Sequence, residues 1–188
     1  MSIEKKSKKT AFREEIDIPE NVELNVASSL IKVKGPSGNN EKRLANPRIR
    51  INKENNKLTL TSTNNTKKEK RILKTFKAHI VNLINGVVNP YIYTLKICSG
   101  HFPMSVSVSN NKIIIKNFFA EKIPREAKIL PNVEVKINGD LVTVKSVDRE
   151  LAGQTASNIE QACRIVNKDR RVFMDGIYIT AKANKPVI

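Results

Sequence analysis

The sequence predicts an α+β protein built from two tandem copies of one module, each a small, mostly antiparallel sheet with one helix packed across it. Three recurrences carry this expectation. Val22, Leu24 and Val26 alternate with polar residues, Ser28-Ser29 turns, and Leu30, Ile31 and Val33 return. Met104, Val106 and Val108, then Asn110-Asn111, then Ile113 to Ile115 repeat that pattern at a shift of 82. A second hairpin, Ile49 and Ile51 returning as Leu58 and Leu60, recurs as Val133, Val135 and Ile137 returning as Leu141, Val142 and Val144, at a shift of 84. Last, Ile72, Phe76, Ile80, Leu83, Ile84 and Val87 form an apolar stripe at helical spacing, matched at a shift of 79 by Leu151, Thr155, Ile159, Ala162, Cys163 and Val166. Strands, turns and helix recurring in one order indicate duplication.

Taken in chain order, residues 1–15 read as a basic tail. Lys5, Lys6, Lys8 and Lys9 are followed by Arg13, Glu14 and Glu15 instead of an apolar core, so no secretory signal is expected. Residues 16–89 form the first repeat. Within it Gly35-Pro36-Ser37-Gly38 follows a strand with no helix start behind it and reads as a β-turn, leaving Lys32 and Lys34 able to meet a phosphate backbone. The first helix is expected to fray or tighten at Asn85-Gly86, a place for a left-handed cap before Val88. Asn89-Pro90 then stops it, and Tyr91 to Ile97 reads as an extended segment joining the modules. Residues 90–188 form the second repeat with a C-terminal extension. Asn138-Gly139 supplies the positive φ angles of a tight hairpin, and Asp148 is placed to cap the second helix.

Charge points to the partner. The 188 residues carry a net charge of +16, with 19 basic and 9 acidic residues up to Thr94 and 15 and 9 after it. A field positive along the whole chain attracts polyanions, nucleic acid first and an anionic membrane surface second. No apolar run approaches the roughly 20 residues of a membrane helix. Two cysteines, Cys98 and Cys163, are too few for a disulfide framework or zinc site and read as small buried hydrophobes of a reducing compartment.

Enzyme signatures are missing: the sequence has no P-loop and no dinucleotide fingerprint, and His79 and His101 read as structural. An aromatic octamer of the RNA-recognition-motif type is also missing. The stretch that stands out follows the second helix, where Lys168, Arg170 and Arg171 precede Asp175-Gly176 and the strand Ile177-Tyr178-Ile179. Arginines there can grip phosphates bidentately, and an Asp-Gly turn can bring backbone close to a partner. On physical grounds alone, an ordinary loop with solvated charge explains the stretch equally well.

These residues carry a resemblance. Gln161, Ile165, Lys168, Arg171, Phe173, Asp175 to Ile179 and Lys182 resemble the C-terminal signature of the sixth large-subunit ribosomal protein family, bacterial numbering, in its archaeal and eukaryotic form. Val33 to Gly38, Ser99 to Met104 and Gly153 to Gln161 support it in the same order, over about Ile16 to Pro186. The resemblance implies a duplicated α+β fold and a non-enzymatic role: binding large-subunit rRNA near the sarcin-ricin loop and stalk base, where translational GTPases dock. It implies a cytoplasmic, ribosome-bound protein beside other large-subunit proteins of the stalk base, with no cofactor, metal, membrane or small-molecule substrate. It places the main RNA clamp in the second module, with Gln154, Lys168, Arg170, Arg171, Gly176, Lys182 and Lys185 as rRNA contacts. Three departures from the family pattern stand out: Met174 where Gln is usual, Ser157 where Ala is common, and Ala120 where Asn117 to Lys122 usually carries Gly.

Such a protein must read A-form RNA through shape, phosphates and 2′-hydroxyls, which needs few aromatic residues. Three alternatives compete with it. A generic basic RNA binder or assembly factor outside the mature ribosome would share the charge. A nucleic-acid enzyme would have to use Asp148, Glu150 and Asp175, which capping and turn formation explain better. A membrane-surface protein would need a basic amphipathic helix, and both stripes are committed to sheets.

Overall fold

The computed structural model describes residues 12–54 and 56–187. The stretch with Lys5, Lys6, Lys8 and Lys9 lies outside the described residues. The chain divides into two compact units, one running to Val88 and the other starting at Asn89.

In the first unit, β1 (Arg13–Asp17), β2 (Glu23–Ala27), β3 (Leu30–Gly35), β4 (Gly38–Arg43), β5 (Ile49–Glu54) and β6 (Lys57–Ser62) precede α1 (Lys67–Val88). The second runs through β7 (Tyr91–Cys98), β8 (Ser105–Ser109), β9 (Lys112–Lys116), β10 (Arg125–Lys128), β11 (Glu134–Asn138) and β12 (Leu141–Ser146) to α2 (Arg149–Ala162). It then adds β13 (Gly176–Lys182) and β14 (Lys185–Pro186). The strands of each unit sort into two antiparallel sheets, ordered β1-β6-β5 and β2-β3-β4 in the first and β11-β12-β7-β13-β14 and β10-β9-β8 in the second. Up to its helix each unit therefore repeats the other, strand for strand, and each helix packs on strands of both its sheets.

The sequence explains the helix positions. Leu73, Phe76, Ile80, Leu83, Ile84 and Val87 are the buried stripe of α1, with Leu73 rather than Ile72 at its start. At its N-terminus, Thr66 Oγ1 accepts from the Glu69 N–H at 3.3 Å. The fully buried Glu69 carboxylate reaches back to accept from Asn64 N at 2.9 Å and lies 3.8 Å from the Arg48 guanidinium. Asp148 caps α2 as expected, accepting from Glu150 N at 2.8 Å. The buried face of α2 is small, Ala152, Thr155, Ala156 and Ile159, which lets the helix lie close to its sheets; a Cβ on Gly153 would come within 3.0 Å of the Tyr93 hydroxyl.

Several expectations need correction. Arg13 to Glu15, assigned to the tail, form most of β1, because Glu14 is tied to Lys77 of α1 at 2.6 Å and Ile16 is buried opposite Leu58. Tyr91 to Ile97 is no connector but a strand with neighbours on both sides, its alternate residues Tyr91, Tyr93, Leu95 and Ile97 facing the core. The first helix neither frays nor caps at Asn85-Gly86; it continues to Val88 because the Gly35–Gly38 turn closes on its end. Ser37 N donates to Val87 O and Ser37 Oγ to Val88 O, each at 2.9 Å, satisfying carbonyls a helix end leaves open. Gly35 allows this approach, since a Cβ there would stand 2.9 Å from Val87 Cβ, Cγ2 and O. The second helix stops at Ala162, so Val166 leaves the stripe and is 63% exposed. Cys163 is buried, whereas Cys98 is only half-buried.

Candidate nucleic-acid interface

Arg125 ends the second helix. Its guanidinium donates to the carbonyls of Ala162 and Arg164, both at 3.0 Å, and pairs with both Glu121 oxygens at 2.8 and 2.6 Å. It also sits 4.3 Å from the Phe118 ring centre. The hydrogen bond to Glu121 is the main cause holding the Arg125 pKa above, and the Glu121 pKa below, its ordinary value. This cation is neutralised inside the protein. Beyond it the chain leaves the helix and runs as an exposed arm to β13. Asp169 folds the arm into a tight turn, its side chain accepting from Arg171 N at 2.9 Å and its carbonyl from Val172 N and Phe173 N at 3.2 and 2.9 Å.

Asp175 fixes the far end of the arm. It is 2% exposed, and its carboxylate accepts from the backbone N–H groups of Gly100, His101 and Phe102 at 3.0 to 3.2 Å and contacts His101 Nδ1 at 3.0 Å. Burial alone would raise its pKa, but these hydrogen bonds, led by the His101 ring, outweigh burial and hold it below the ordinary value. The expected Asp-Gly turn toward a partner is therefore an inward clamp on the Ser99–Pro103 loop. Above it the His101 and Phe173 rings lie 5.0 Å apart, Phe173 meets Phe119 at 5.7 Å, and Phe102 and Phe118 meet Phe119 at 6.3 and 4.7 Å. Four of the six phenylalanines thus gather where the 99–103 loop, the 117–124 connection and the arm converge.

The residues expected to hold RNA fall into distinct places. Lys168 lies over the Phe119 and Phe173 rings, 5.2 and 5.0 Å from their centres, so it staples the arm as well as charging it. Arg170 and Arg171 are exposed on the Asp169 turn. Lys182 and Lys185 are cross-strand partners of the β13-β14 hairpin, a like-charge pair that an anion would relieve. Gln154 stands apart on the outer face of α2, bonded to Asn158 at 2.9 Å. Gly176 is buried and offers no contact surface; its bare Cα accommodates the Tyr178 ring, which a Cβ would meet at 3.1 Å.

Ion pairs take up some of the cations of the first unit. In the first unit Lys32 pairs with Glu41 at 3.1 Å, Arg13 with Glu15 at 3.0 Å and Lys77 with Glu14 at 2.6 Å. Among the described residues, none of Arg164, Lys168, Arg170, Arg171, Lys182 and Lys185 has a carboxylate partner: Asp169 is spent on its own turn, and Asp175 is turned inward. Chemically the segment presents cations of the kind that meet phosphate groups, backed by the aromatic cluster and the Asp175 clamp. His79 and His101 are engaged structurally, His79 by Lys42 at 3.2 Å, and no group of three or more His, Cys, Asp or Glu side chains among the described residues could hold a metal. Sequence reasoning missed the aromatic cluster and the Asp175 clamp. The Ser99–Met104 and Asn117–Lys122 motifs were the available signal, but nothing local in them tells what they meet.

The model of the family described as Ribosomal protein L6 matches residues 18–89 and 102–176. The large ribosomal subunit protein uL6 of Methanobrevibacter smithii is 41% identical over 92% of this chain and 97% of its own. Those of Methanococcus vannielii and Nanoarchaeum equitans are 44% and 42% identical, each over 93% of this chain and over 96% and 95% of their own. The family match spans both units, and the relatives align across nearly the whole chain: it belongs to the ribosomal protein L6 family.

Proposed function

We propose that this protein is a constituent of the large ribosomal subunit that binds large-subunit rRNA near the sarcin-ricin loop and the stalk base and supports the translation-factor docking region. Its work is structural, not enzymatic, and its partners are rRNA and other ribosomal proteins, with neighbours at the stalk base. One observation supports the contact surface: six cations gather between Arg164 and Lys185 and, among the described residues, have no carboxylate partner, while Asp169 and Asp175 are tied to backbone N–H groups. Arg170 and Arg171 grip phosphates, Lys182 and Lys185 share a second anion position, and Lys168 steadies the arm between them. RNA phosphates replace the missing carboxylates and release their counterions.

Ribosome co-sedimentation with crosslink mapping tests the reading. Crosslinks from 168–185 are expected on the factor-binding region of large-subunit rRNA. Arg170→Ala with Arg171→Ala should weaken binding roughly 10- to 100-fold at physiological salt and reduce the log–log salt slope by about 2. Binding without a localised footprint would leave a generic basic RNA binder or assembly factor, and unchanged affinity in the double variant would put the clamp elsewhere.

A further inference from the structure

A pocket of about 370 Å³ opens between the last turn of α2, the start of the arm and β13. We propose that it receives one unstacked nucleotide of the bound RNA, with the base on the Tyr178 ring and the phosphate between Arg164 and Arg170. This rests on the rRNA-binding reading and adds Arg164, Gln161 and Tyr178 to the surface.

The residues fit that ligand part by part. Tyr178 lies against the bare Cα of Gly176 and lines the pocket, giving a base an aromatic surface. Burial is the main cause raising its phenol pKa, so the hydroxyl keeps its proton as a donor. Arg164 and Arg170 both line the pocket, and among the described residues neither is held by a carboxylate. Glu160 has one oxygen bonded to Ile179 N at 3.1 Å, leaving the other to accept from a base. Gln161 is oriented by a 3.0 Å bond from its Nε2 to Ser157 Oγ, leaving its carbonyl as a second acceptor. The departure from alanine at Ser157 thus has a local consequence. Two acceptors beside an aromatic ring suit a base edge carrying an amino group. Ile165 and the Cys163 thiol, whose pKa burial pushes up to about 11, complete an uncharged side. A volume of this size suits a single nucleotide. Bases stacked in an A-form duplex cannot enter such a pocket, whereas a splayed base in a loop or bulge can.

Ultraviolet crosslinking of the full-length protein bound to large-subunit rRNA, read by mass spectrometry, tests this. A Tyr178 adduct at one nucleotide is expected. Tyr178→Leu should weaken rRNA binding about tenfold, and Tyr178→Phe should restore most of it. Arg164→Ala, at an exposed position, is the second variant should Tyr178→Leu fold poorly, and it should weaken binding while leaving the melting temperature unchanged. Localised rRNA binding with no Tyr178 adduct and with unaltered affinity in Tyr178→Leu and Arg164→Ala overturns the pocket and leaves the rRNA reading intact. Loss of any localised rRNA binding by the parent protein overturns both. Competition by micromolar adenosine monophosphate would identify a free-nucleotide site and also overturn the proposal.

Discussion

The two units share a plan and differ in how they finish their helices. In the first, a four-residue turn closes on a 22-residue helix through Ser37. In the second, the corresponding β9-β10 connection has grown to hold Phe118, Phe119 and Glu121, and Arg125 caps a helix of 14 residues. Stopping α2 about two turns early releases chain that the first unit spends on packing. That chain becomes the basic arm and returns as β13 along β7, while the matching strand of the first unit, β1, remains at the edge of its sheet. Charge suits β1 to that position, since a short strand bearing Arg13, Glu14, Glu15 and Asp17 offers a poor template for further pairing. The two units therefore share one frame, and the earlier stop of α2 leaves chain for the arm and β13.

Breaking the clamp gives the largest expected effect. Asp175→Ala would leave three backbone N–H groups of the Ser99–Pro103 loop without their acceptor and free the arm, costing about 3 kcal/mol in thermal or denaturant unfolding. The same carboxylate sets a pH dependence. Its folded pKa is depressed, so its contribution is complete above the ordinary value of about 3.9 and is lost as pH falls through the lower folded value. Wild-type stability should fall across that acid window more steeply than that of Asp175→Asn. Equal slopes would show that Asp175 does not hold the loop.

Closing the first helix comes next. Gly35→Ala places a methyl 2.9 Å from Val87 backbone and from its β-branched side chain, neither of which can move aside cheaply. The turn would be pushed off the helix end, and stability should fall by about 2 kcal/mol with rRNA affinity nearly unchanged. A loss of RNA binding as large as that from the arginine double variant would mean that the units do not divide labour in this way.

The duplication was legible because apolar alternation and helical stripes survive in both copies. What hid were elements whose partners are polar or distant. Strand β4, Gly38–Arg43, has no apolar alternation; its inward residues include Asn40 and Lys42. Val166 extended the second stripe on paper because its spacing is right, while the guanidinium that stops the helix comes from Arg125, some forty residues earlier in the chain. Arg170 and Arg171 stood out as charge. Asp175 read as a turn residue because its acceptor role is defined by a loop 73 to 75 residues away, and Gly176 read as a contact although it serves the ring of Tyr178.

The smallest effect tests the extended β9-β10 connection, where the second unit departs furthest from the first. Asn117, Phe119 and Ala120 all have positive φ, at +60°, +50° and +57°. Left-handed backbone crowds a Cβ against the neighbouring carbonyl, and glycine escapes this cost. The family resemblance places glycine at the position of Ala120, which the backbone angle explains: alanine keeps the turn but holds it strained. The surrounding contacts over-determine the shape, with Asn117 Nδ2 donating to Pro103 O at 2.8 Å and Glu121 held by Arg125. Ala120→Gly should therefore stabilise the protein by about 1 kcal/mol, raising the melting temperature by about 2–4 °C, with the entropy gained by the unfolded chain trimming the benefit. A melting temperature that falls would show that the turn changes shape without the methyl group. Phe119 would then lose its place between Phe102 and Phe173, and the arm would lose the aromatic backing that Lys168 staples.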